Sequence, residues 1–149
     1  MATHLAIVTL GMLLAAFLYY QTNPGIAHSL LARRLGYTGP LSEFPSAFFA
    51  SRIQSKMSLE EVNMEMEGTG YSSVDYLVAS MARPGPDSVL VVQRFRYRRG
   101  TRLLLSLNVE YWHGRVVGLE YNDDYLGNAA PITRDSAMQL IYSPEAPPD

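Results

Sequence analysis

The chain contains no cysteine and has few charged residues. Among its 149 residues, 17% are charged, and 12 Lys and Arg against 14 Asp and Glu give a net charge of -2. The lack of cysteine excludes a disulfide framework, a thiolate-ligated zinc or iron–sulfur site, a cysteine nucleophile and lipid attachment through cysteine. Dedicated nucleic-acid binders are usually strongly basic, so we predict no nucleic-acid partner. The length allows one small domain plus a tail or an anchor.

The low charge content reflects an apolar run near the N-terminus. From Leu5 to Tyr20 the sequence reads LAIVTLGMLLAAFLYY, without a charged residue or a proline. With the four preceding residues this makes about 20, close to the length that crosses a bilayer. We therefore predict a transmembrane anchor over residues 1–21, in a single-pass protein of the inner (cytoplasmic) membrane. The predicted anchor residues are Leu5, Ile7, Leu10, Leu13, Leu14, Phe17, Leu18, Tyr19 and Tyr20.

A cleaved secretory signal is the alternative to this anchor. Such a signal needs a basic first region, and here only the amino terminus and His4 are available. A possible cleavage site at residues 25–27 lies well beyond the apolar run. The orientation of the span stays open: Arg33 and Arg34, read alone, place the following domain in the cytoplasm.

Short helices are predicted next along the chain. Residues 22–50 form a juxtamembrane helix, over 28–35 and stopped by Gly36, and then a connector with a further helical turn over 47–53. Ser58 and Glu61 form a capping box that opens a helix ending near Gly68. A second box at Ser72 and Asp75 predicts another helix, because Val74, Leu77, Val78 and Met81 follow helical spacing; Pro84-Gly85-Pro86 ends it.

Three strands follow, and their inward residues all have odd numbers. Strict alternation predicts one packed and one solvent-facing side. The inward set is Val89, Val91, Phe95, Tyr97, Leu103, Leu105, Leu107, Val109, Tyr111, Val117, Leu119 and Tyr121. We predict three-residue loops at 98–100 and 112–114, which pair Tyr97 with Thr101 and Tyr111 with Arg115 and keep odd residues opposite odd ones.

The predicted fold class is therefore α+β, with an N-terminal transmembrane helix followed by a small domain. This domain, over residues 51–121, has two helices packed on a three-stranded antiparallel meander. Residues 122–149 form an irregular C-terminal tail, in which 133–142 is a short helix or an edge segment and 144–149 is disordered.

Part of this pattern resembles a known family. The stretch Lys56-Met57-Ser58-Leu-Glu-Glu61-Val62, the closing Gly68 and the hairpin Trp112-His113-Gly114-Arg115-Val116 are similar to the BamE/SmpA small envelope-protein family over about residues 51–121. The resemblance implies a BamE-like fold and a non-enzymatic, partner-binding module outside the cytoplasm, in the periplasm. The family is typically anchored by a lipidated cysteine; this chain has none, and the predicted span would take its place.

A search for chemistry finds no catalytic constellation. The three histidines, His4, His28 and His113, are far apart and lack metal-ligand spacing. The oxygen-rich stretch 122–128 lacks the periodicity of a calcium loop and is better read as a surface turn. Gly68-Thr69-Gly70 follows a helix, which is the wrong context for dinucleotide binding. We predict no catalytic residue, no metal and no cofactor, and hence no enzyme; an enzyme with an unrecognised site is kept as an alternative.

A cluster of arginines is the candidate binding site. It comprises Arg94, Arg96, Arg98, Arg99 and Arg102. The predicted register sets Arg96 opposite Arg102 on the solvent-facing side, where like charges repel unless an anion offsets them. An acidic protein surface or anionic lipid headgroups would fit this face. The alternative is a solvated face, partly neutralised by Glu110 and Glu120.

These features together predict a partner-binding protein. We expect an accessory or scaffolding subunit of a membrane complex, respiratory, photosynthetic or similar, whose partners are the other subunits and the lipid bilayer. A small core without disulfide or metal supports this, because such cores are marginally stable alone. A BamE-like envelope or outer-membrane assembly factor is the alternative function.

Overall fold

A computed structural model of the chain describes residues 2–80, 89–122 and 129–142. This part of the chain contains five helices and five strands. The helices are α1 (Ala2–Thr22), α2 (Pro24–Arg34), α3 (Ser46–Ala50), α4 (Leu59–Met66) and α5 (Arg134–Ile141). The strands are β1 (Ser73–Ser80), β2 (Val89–Arg99), β3 (Arg102–Trp112), β4 (Arg115–Glu120) and β5 (Ala130–Ile132).

The strands form one antiparallel sheet in the order β4-β3-β2-β1-β5. Strands β2, β3 and β4 are the meander that the alternation predicts. The three-stranded domain is nevertheless wrong, because β1 and β5 extend the sheet beyond β2. The fold is an α+β arrangement of short helices on a five-stranded sheet.

The second helix predicted after residue 72 is wrong, because this segment is strand β1. Its apolar residues fit both periods: Val74 and Tyr76 contact the main core, while Leu77 and Ala79 belong to a small cluster with strand β2. A short run that is apolar on both sides is ambiguous from periodicity alone, and pairing along β2 decides for the strand. Ser72 accepts a hydrogen bond from the backbone N–H of Arg98 at 3.0 Å instead of capping a helix.

The hairpin turns are shorter than the predicted loops. Arg99 pairs with Arg102 and Trp112 with Arg115, so each turn has two residues, and a bulge follows in each ladder. His113 and Gly114 both have positive φ, as a tight hairpin turn requires. The predicted pairs of Tyr97 with Thr101 and Tyr111 with Arg115 are therefore wrong. The bulges still leave odd residues opposite odd ones, as in the pairing of Phe95 with Leu107.

Both faces of the central strands are buried. The odd-numbered face carries the main core, which Phe95, Tyr97 and Leu107 enter fully. The even-numbered face was expected to be solvated, and this is wrong: Val92 and Asn108 are fully buried there. Alternation in polarity therefore does not mark a solvent-facing side in this sheet.

The segment between residues 22 and 50 is part of the same core. Leu31 of α2 and Phe49 of α3 are completely buried, and both belong to the cluster that contains the odd-numbered residues of the sheet. The predicted stop at Gly36, which has a φ of 69°, is confirmed. The region predicted as a connector thus supplies large apolar side chains to the domain.

Two predicted helix starts outside the sheet are resolved. The capping box of α4 is confirmed: Ser58 accepts from the Glu61 N–H at 3.3 Å, and Glu61 accepts from the Ser58 N–H at 2.6 Å. In the tail, helix α5 is capped by Thr133 and covers the core with Ala137 and Ile141.

Predictions on Met81, on residues 84–86 and 123–128, and on 144–149 lie outside the described residues.

The transmembrane prediction over residues 1–21 is wrong. Within the described residues, no helix has both the length and the apolar character that a membrane span requires. The apolar run of α1 from Leu5 to Tyr20 has 16 residues. At 1.5 Å per residue it extends roughly 24 Å, less than the ~30 Å of a hydrocarbon layer. The prediction of a single-pass protein of the inner membrane is withdrawn with it.

The cap of α4 gives a first test of this fold. Ser58→Ala removes the acceptor for the Glu61 N–H at the start of a two-turn helix that covers the core, and we expect a loss of about 1 kcal/mol in unfolding free energy. Urea denaturation followed by circular dichroism measures it. Glu65→Gln, an exposed change in the same helix, is the control and should leave stability within about 0.5 kcal/mol. Equal stability of the two variants would contradict the capping role.

Candidate functional site

The five arginines of the predicted binding face do not share one environment. Arg94 and Arg102 are buried, Arg96 is half-buried, and Arg98 and Arg99 are exposed. The exposed arginine face predicted from the sequence is therefore wrong. The prediction fails because the even-numbered face of the sheet is buried.

Arg94 has a structural position in the middle of β2. Its side chain is 8% exposed, and its Nε donates to Oδ1 of Asn108 at 2.9 Å, directly across the β2–β3 ladder. The amide nitrogen of Asn108 donates in turn to the carbonyl of Asn122 at 2.9 Å. This chain of hydrogen bonds ties β2 and β3 to the segment after β4.

Arg96 is held by an ion pair. Its guanidinium contacts the carboxylate of Asp75 on the neighbouring strand β1, and the two side chains are 25% and 42% exposed. Arg96 pairs with Ser106 in the ladder, so it does not face Arg102 as the predicted register requires. Salt bridges this accessible contribute little to stability, and the pair acts mainly to neutralise the arginine.

Arg98 and Arg99 lie at the end of the β2–β3 hairpin. Arg98 donates from Nη1 to the carbonyl of Thr101 at 3.3 Å, and its own carbonyl accepts from Arg34 of α2 at 3.3 Å. Arg34 also donates to the carbonyl of Gly70, so α2 is fastened to this hairpin and to the turn before β1. Arg98 and Arg99 are thus the accessible part of the predicted arginine face.

Arg102 lies beneath the junction of α1 and α2. It is 7% exposed, its Cζ is 4.5 Å from the centroid of the Tyr20 ring, and its Nη2 donates to the carbonyl of Asn23 at 2.9 Å. Within the described residues, its Nε and Nη1 have no hydrogen-bond partner. Arg102 is one of the residues that line a cavity of about 220 Å³ between this junction, strand β3 and the segment after β4.

A buried polar network under α4 is absent from the sequence-based prediction. Gln93 is fully buried; its amide donates to Asn63 at 2.8 Å and to Tyr76 at 3.3 Å, and its carbonyl accepts from Tyr111 at 2.8 Å. Burial raises the pKa of Tyr111 above its usual value. The signal in the sequence was Gln93 itself, a polar residue at an odd-numbered position between the apolar Val91 and Phe95. With each partner satisfied, the network fixes the register of α4 on the sheet.

Tyr97 forms a second buried polar contact on the same face. Its hydroxyl shares a hydrogen bond with that of Thr69 at 2.9 Å, and Thr69 also donates to the carbonyl of Met66 at the end of α4. Burial raises the pKa of Tyr97 to about 12. The side chain therefore stays neutral in the folded protein well above the pH at which a free tyrosine ionises.

Helix α1 presents an apolar surface on all its sides. Leu10 and Met12 are both 69% exposed, although they lie about 200° apart around the helix. The other large exposed residues of this helix are Ile7, Val8, Leu13, Leu14, Phe17, Leu18, Tyr19 and Tyr20. Of the predicted anchor residues, only Leu5 has a side chain outside the described part of the structure. A helix that is apolar all round normally has apolar neighbours on every side.

Among the side chains that the structure describes, the histidines take part in no metal-binding group. Within the described residues there is no group of three or more His, Cys, Asp or Glu side chains arranged for a metal ion. His28 packs edge-on against Phe44, with 5.9 Å between the ring centroids, and burial lowers its pKa. His113 occupies a hairpin turn beside Trp112.

Comparison of the chain with protein-family models, with curated proteins and with solved structures finds no match. The resemblance to the BamE/SmpA family therefore stays a prediction. The apolar helix, the exposed hairpin end and the cavity at Arg102 are the features on which a function can be argued.

The position of Arg94 predicts a large effect of its removal. Arg94→Gln breaks the hydrogen bond to Asn108 inside the sheet and leaves a buried acceptor unpaired, so we expect unfolding free energy to fall by about 1–3 kcal/mol. Thermal and urea denaturation measure this. Arg99→Gln removes the same charge from the exposed end of the strand and should change stability by less than about 0.5 kcal/mol. A neutral Arg94→Gln would show that the even-numbered face is solvated after all.

The raised pKa of Tyr97 predicts loss of stability at alkaline pH. The folded-state pKa of about 12 exceeds the unfolded value near 10, so the stabilisation is complete below pH 10 and decreases as the pH rises from 10 to 12. Tyr97→Phe removes this titration, and we expect it to lose less unfolding free energy across that range, by a margin on the order of 2 kcal/mol. Urea titrations at several pH values compare the two proteins. Identical pH profiles would argue against burial of the hydroxyl.

Proposed function

We propose that the chain is a non-enzymatic accessory subunit that joins a larger protein complex through helix α1. The observation that carries this proposal is the exposure of apolar side chains on opposite sides of α1, at Leu10 and Met12. Isolated proteins seldom expose a continuous apolar surface of this kind, and such surfaces mark interaction sites.

The composition of α1 defines the partner. No charged residue occurs between Leu5 and Tyr20, so the surface that encloses the helix is apolar and offers no ion pairs. A single partner helix, as in a simple two-chain dimer, covers only one stripe along a helix. Exposure on opposite sides calls for apolar helices on more than one side. A multi-helix groove in a partner protein provides this arrangement.

The remainder of the chain holds α1 in a defined place. Only Asn23 separates the end of α1 from the start of α2, and Leu31 and Ala32 of α2 are anchored in the main core. Arg102 contacts both the Tyr20 ring and the Asn23 carbonyl at the junction. The small domain therefore positions the emerging helix, as a scaffolding subunit requires. The exposed Arg98 and Arg99 at the hairpin end are available for an acidic segment of the same partner.

The experiment is co-purification of the tagged full-length chain in mild detergent, combined with cross-linking. Photo-reactive residues at positions 10 and 12 should link to apolar helices of the partner, from both sides of α1. We expect Leu10→Lys and Met12→Lys to reduce the recovery of partner about tenfold or more, because a buried lysine without an anion is costly. Met64→Lys is the matched control, since Met64 is 65% exposed on α4, and should retain the partner.

Several results would overturn this proposal. One is a chain that stays monomeric with α1 intact; another is a homo-oligomer without any other protein. A third is cross-links that reach lipid instead of protein. Stoichiometric recovery of β-barrel assembly machinery would favour the envelope assembly factor over the accessory subunit, and a turnover that one polar-to-alanine change abolishes would establish an enzyme.

A further inference from the structure

A cleft lies at the end of the domain where helices α2 and α4 finish. It has a volume of about 320 Å³ and is lined by Arg34 and Leu35 at the end of α2, by Phe48 and Arg52 in and after α3, and by residues 67–70. Leu35 and Phe48 are half-buried in its wall, whereas Arg34 and Arg52 are exposed. A single water needs on the order of 15 Å³, so the cleft has room for a side chain of another molecule.

Arg52 brings to this cleft a cation that is held in place but has no anionic partner. Its Cζ lies over the Phe48 ring, 4.7 Å from the ring centroid, and the ring attracts the charge electrostatically. Within the described residues the guanidinium forms no hydrogen bond and no ion pair. Because a guanidinium carries five N–H donors, Arg52 is able to donate to a ligand in the cleft.

Arg34 brings a second cation, which the backbone holds in position. It donates from Nη1 to the carbonyl of Arg98 at 3.3 Å and from Nη2 to the carbonyl of Gly70. Gly70 allows this close approach, since it has a φ of 68° and a Cβ there would lie 2.8 Å from Nη2 of Arg34. Carbonyl groups carry no net charge, so the positive charge of Arg34 is oriented but not neutralised.

The charge around the cleft is unbalanced. Glu67 is the one acidic residue among the described lining, and it forms no ion pair with Arg34 or Arg52. Arg98 and Arg99 are exposed at the hairpin end that Arg34 contacts. Positive charge is therefore concentrated here, in a chain whose net charge is -2. A local excess of one sign favours a partner surface of the opposite sign.

We propose that this cleft binds a glutamate- or aspartate-rich segment of the protein that encloses α1. The segment belongs to that same partner, so this site rests on the proposed function. A carboxylate accepts two parallel hydrogen bonds from a guanidinium, and the half-buried Leu35 and Phe48 accommodate the apolar stem of its side chain. The cations extend from the cleft to the hairpin end, which suits several carboxylates along one segment better than a single small anion.

The test is the binding of fluorescein-labelled octaglutamate to the full-length chain in a non-ionic detergent, followed by fluorescence anisotropy. The ionic strength is held at about 0.15 M, where exposed charges more than roughly 8 Å apart are largely screened. Octaglutamine is the neutral control peptide and should not bind. We expect Arg52→Gln to weaken octaglutamate binding by about fivefold or more, because it removes charge-assisted hydrogen bonds.

Three further variants separate a local site from general charge attraction. Arg115→Gln removes the same charge from an exposed position at the opposite end of strand β3, and it should change the affinity by less than about twofold. Glu67→Gln removes the carboxylate that repels the peptide and should strengthen binding by about twofold or more. Arg52→Lys keeps the charge without the planar donors and should lose affinity, although less than Arg52→Gln.

Several results would overturn the cleft site. These are no saturable binding of octaglutamate, equal losses in the Arg52→Gln and Arg115→Gln variants, and an affinity that Glu67→Gln leaves unchanged. Tighter binding of octathymidylate, a single-stranded DNA probe, would assign the face to nucleic acid and would refute the proposal as well.

Cross-linking connects the cleft to the partner of α1. Photo-reactive residues at positions 67 and 10 should link to the same protein, with an acidic stretch at position 67; links to two different proteins would contradict the assignment. The two sites fail independently, because Leu10→Lys should remove the partner and leave octaglutamate affinity unchanged. Loss of octaglutamate binding while position 10 still links to a partner refutes the cleft site alone.

Discussion

The structure depends on the pairing of β2 with β3. These two eleven-residue strands run side by side in the middle of the sheet, and both of their faces are buried. The odd-numbered side chains form the main core with the helices, whereas the even-numbered ones include Arg94, Ser106 and Asn108. Because hydrogen bonding fixes the register of the ladder, it also decides which polar groups meet within this buried layer.

Buried polar groups follow a common rule in this sheet. Arg94 with Asn108, and Gln93 with Asn63, Tyr76 and Tyr111, are satisfied by neighbours that the register places opposite or beside them. Each network favours the native register, since an alternative register would leave its members without hydrogen-bond partners. Arg102 departs from this rule, because two of its N–H groups lack acceptors in the described structure.

Helix α1 and its junction with α2 are neighbouring parts of the molecule with different chemistry. Helix α1 has an apolar surface and no charge, whereas the junction between α1 and α2 combines a cation, a helix N-terminus and a cavity. The Tyr20 ring lies on the guanidinium of Arg102 and separates the apolar region from the polar one. The hydrogen bond from Arg102 to the Asn23 carbonyl therefore ties the base of α1 to strand β3. That geometry suits a subunit whose helix must enter a partner from one side.

The sequence by itself determined the local features: the capping box at Ser58, the stop at Gly36, the apolar run of α1 and the odd-numbered inward face of β2 and β3. Each is encoded by neighbouring residues, so no distant part of the chain is needed to read it. Tertiary structure alone decided that residues 73–80 form a strand, that the even-numbered face is buried, and that Arg102 meets the start of α2, 79 positions away in the chain. The reason is physical: a run that suits two periods is settled by the strand it pairs with. An arginine, likewise, is an exposed charge or a buried hydrogen-bond donor according to what packs over it.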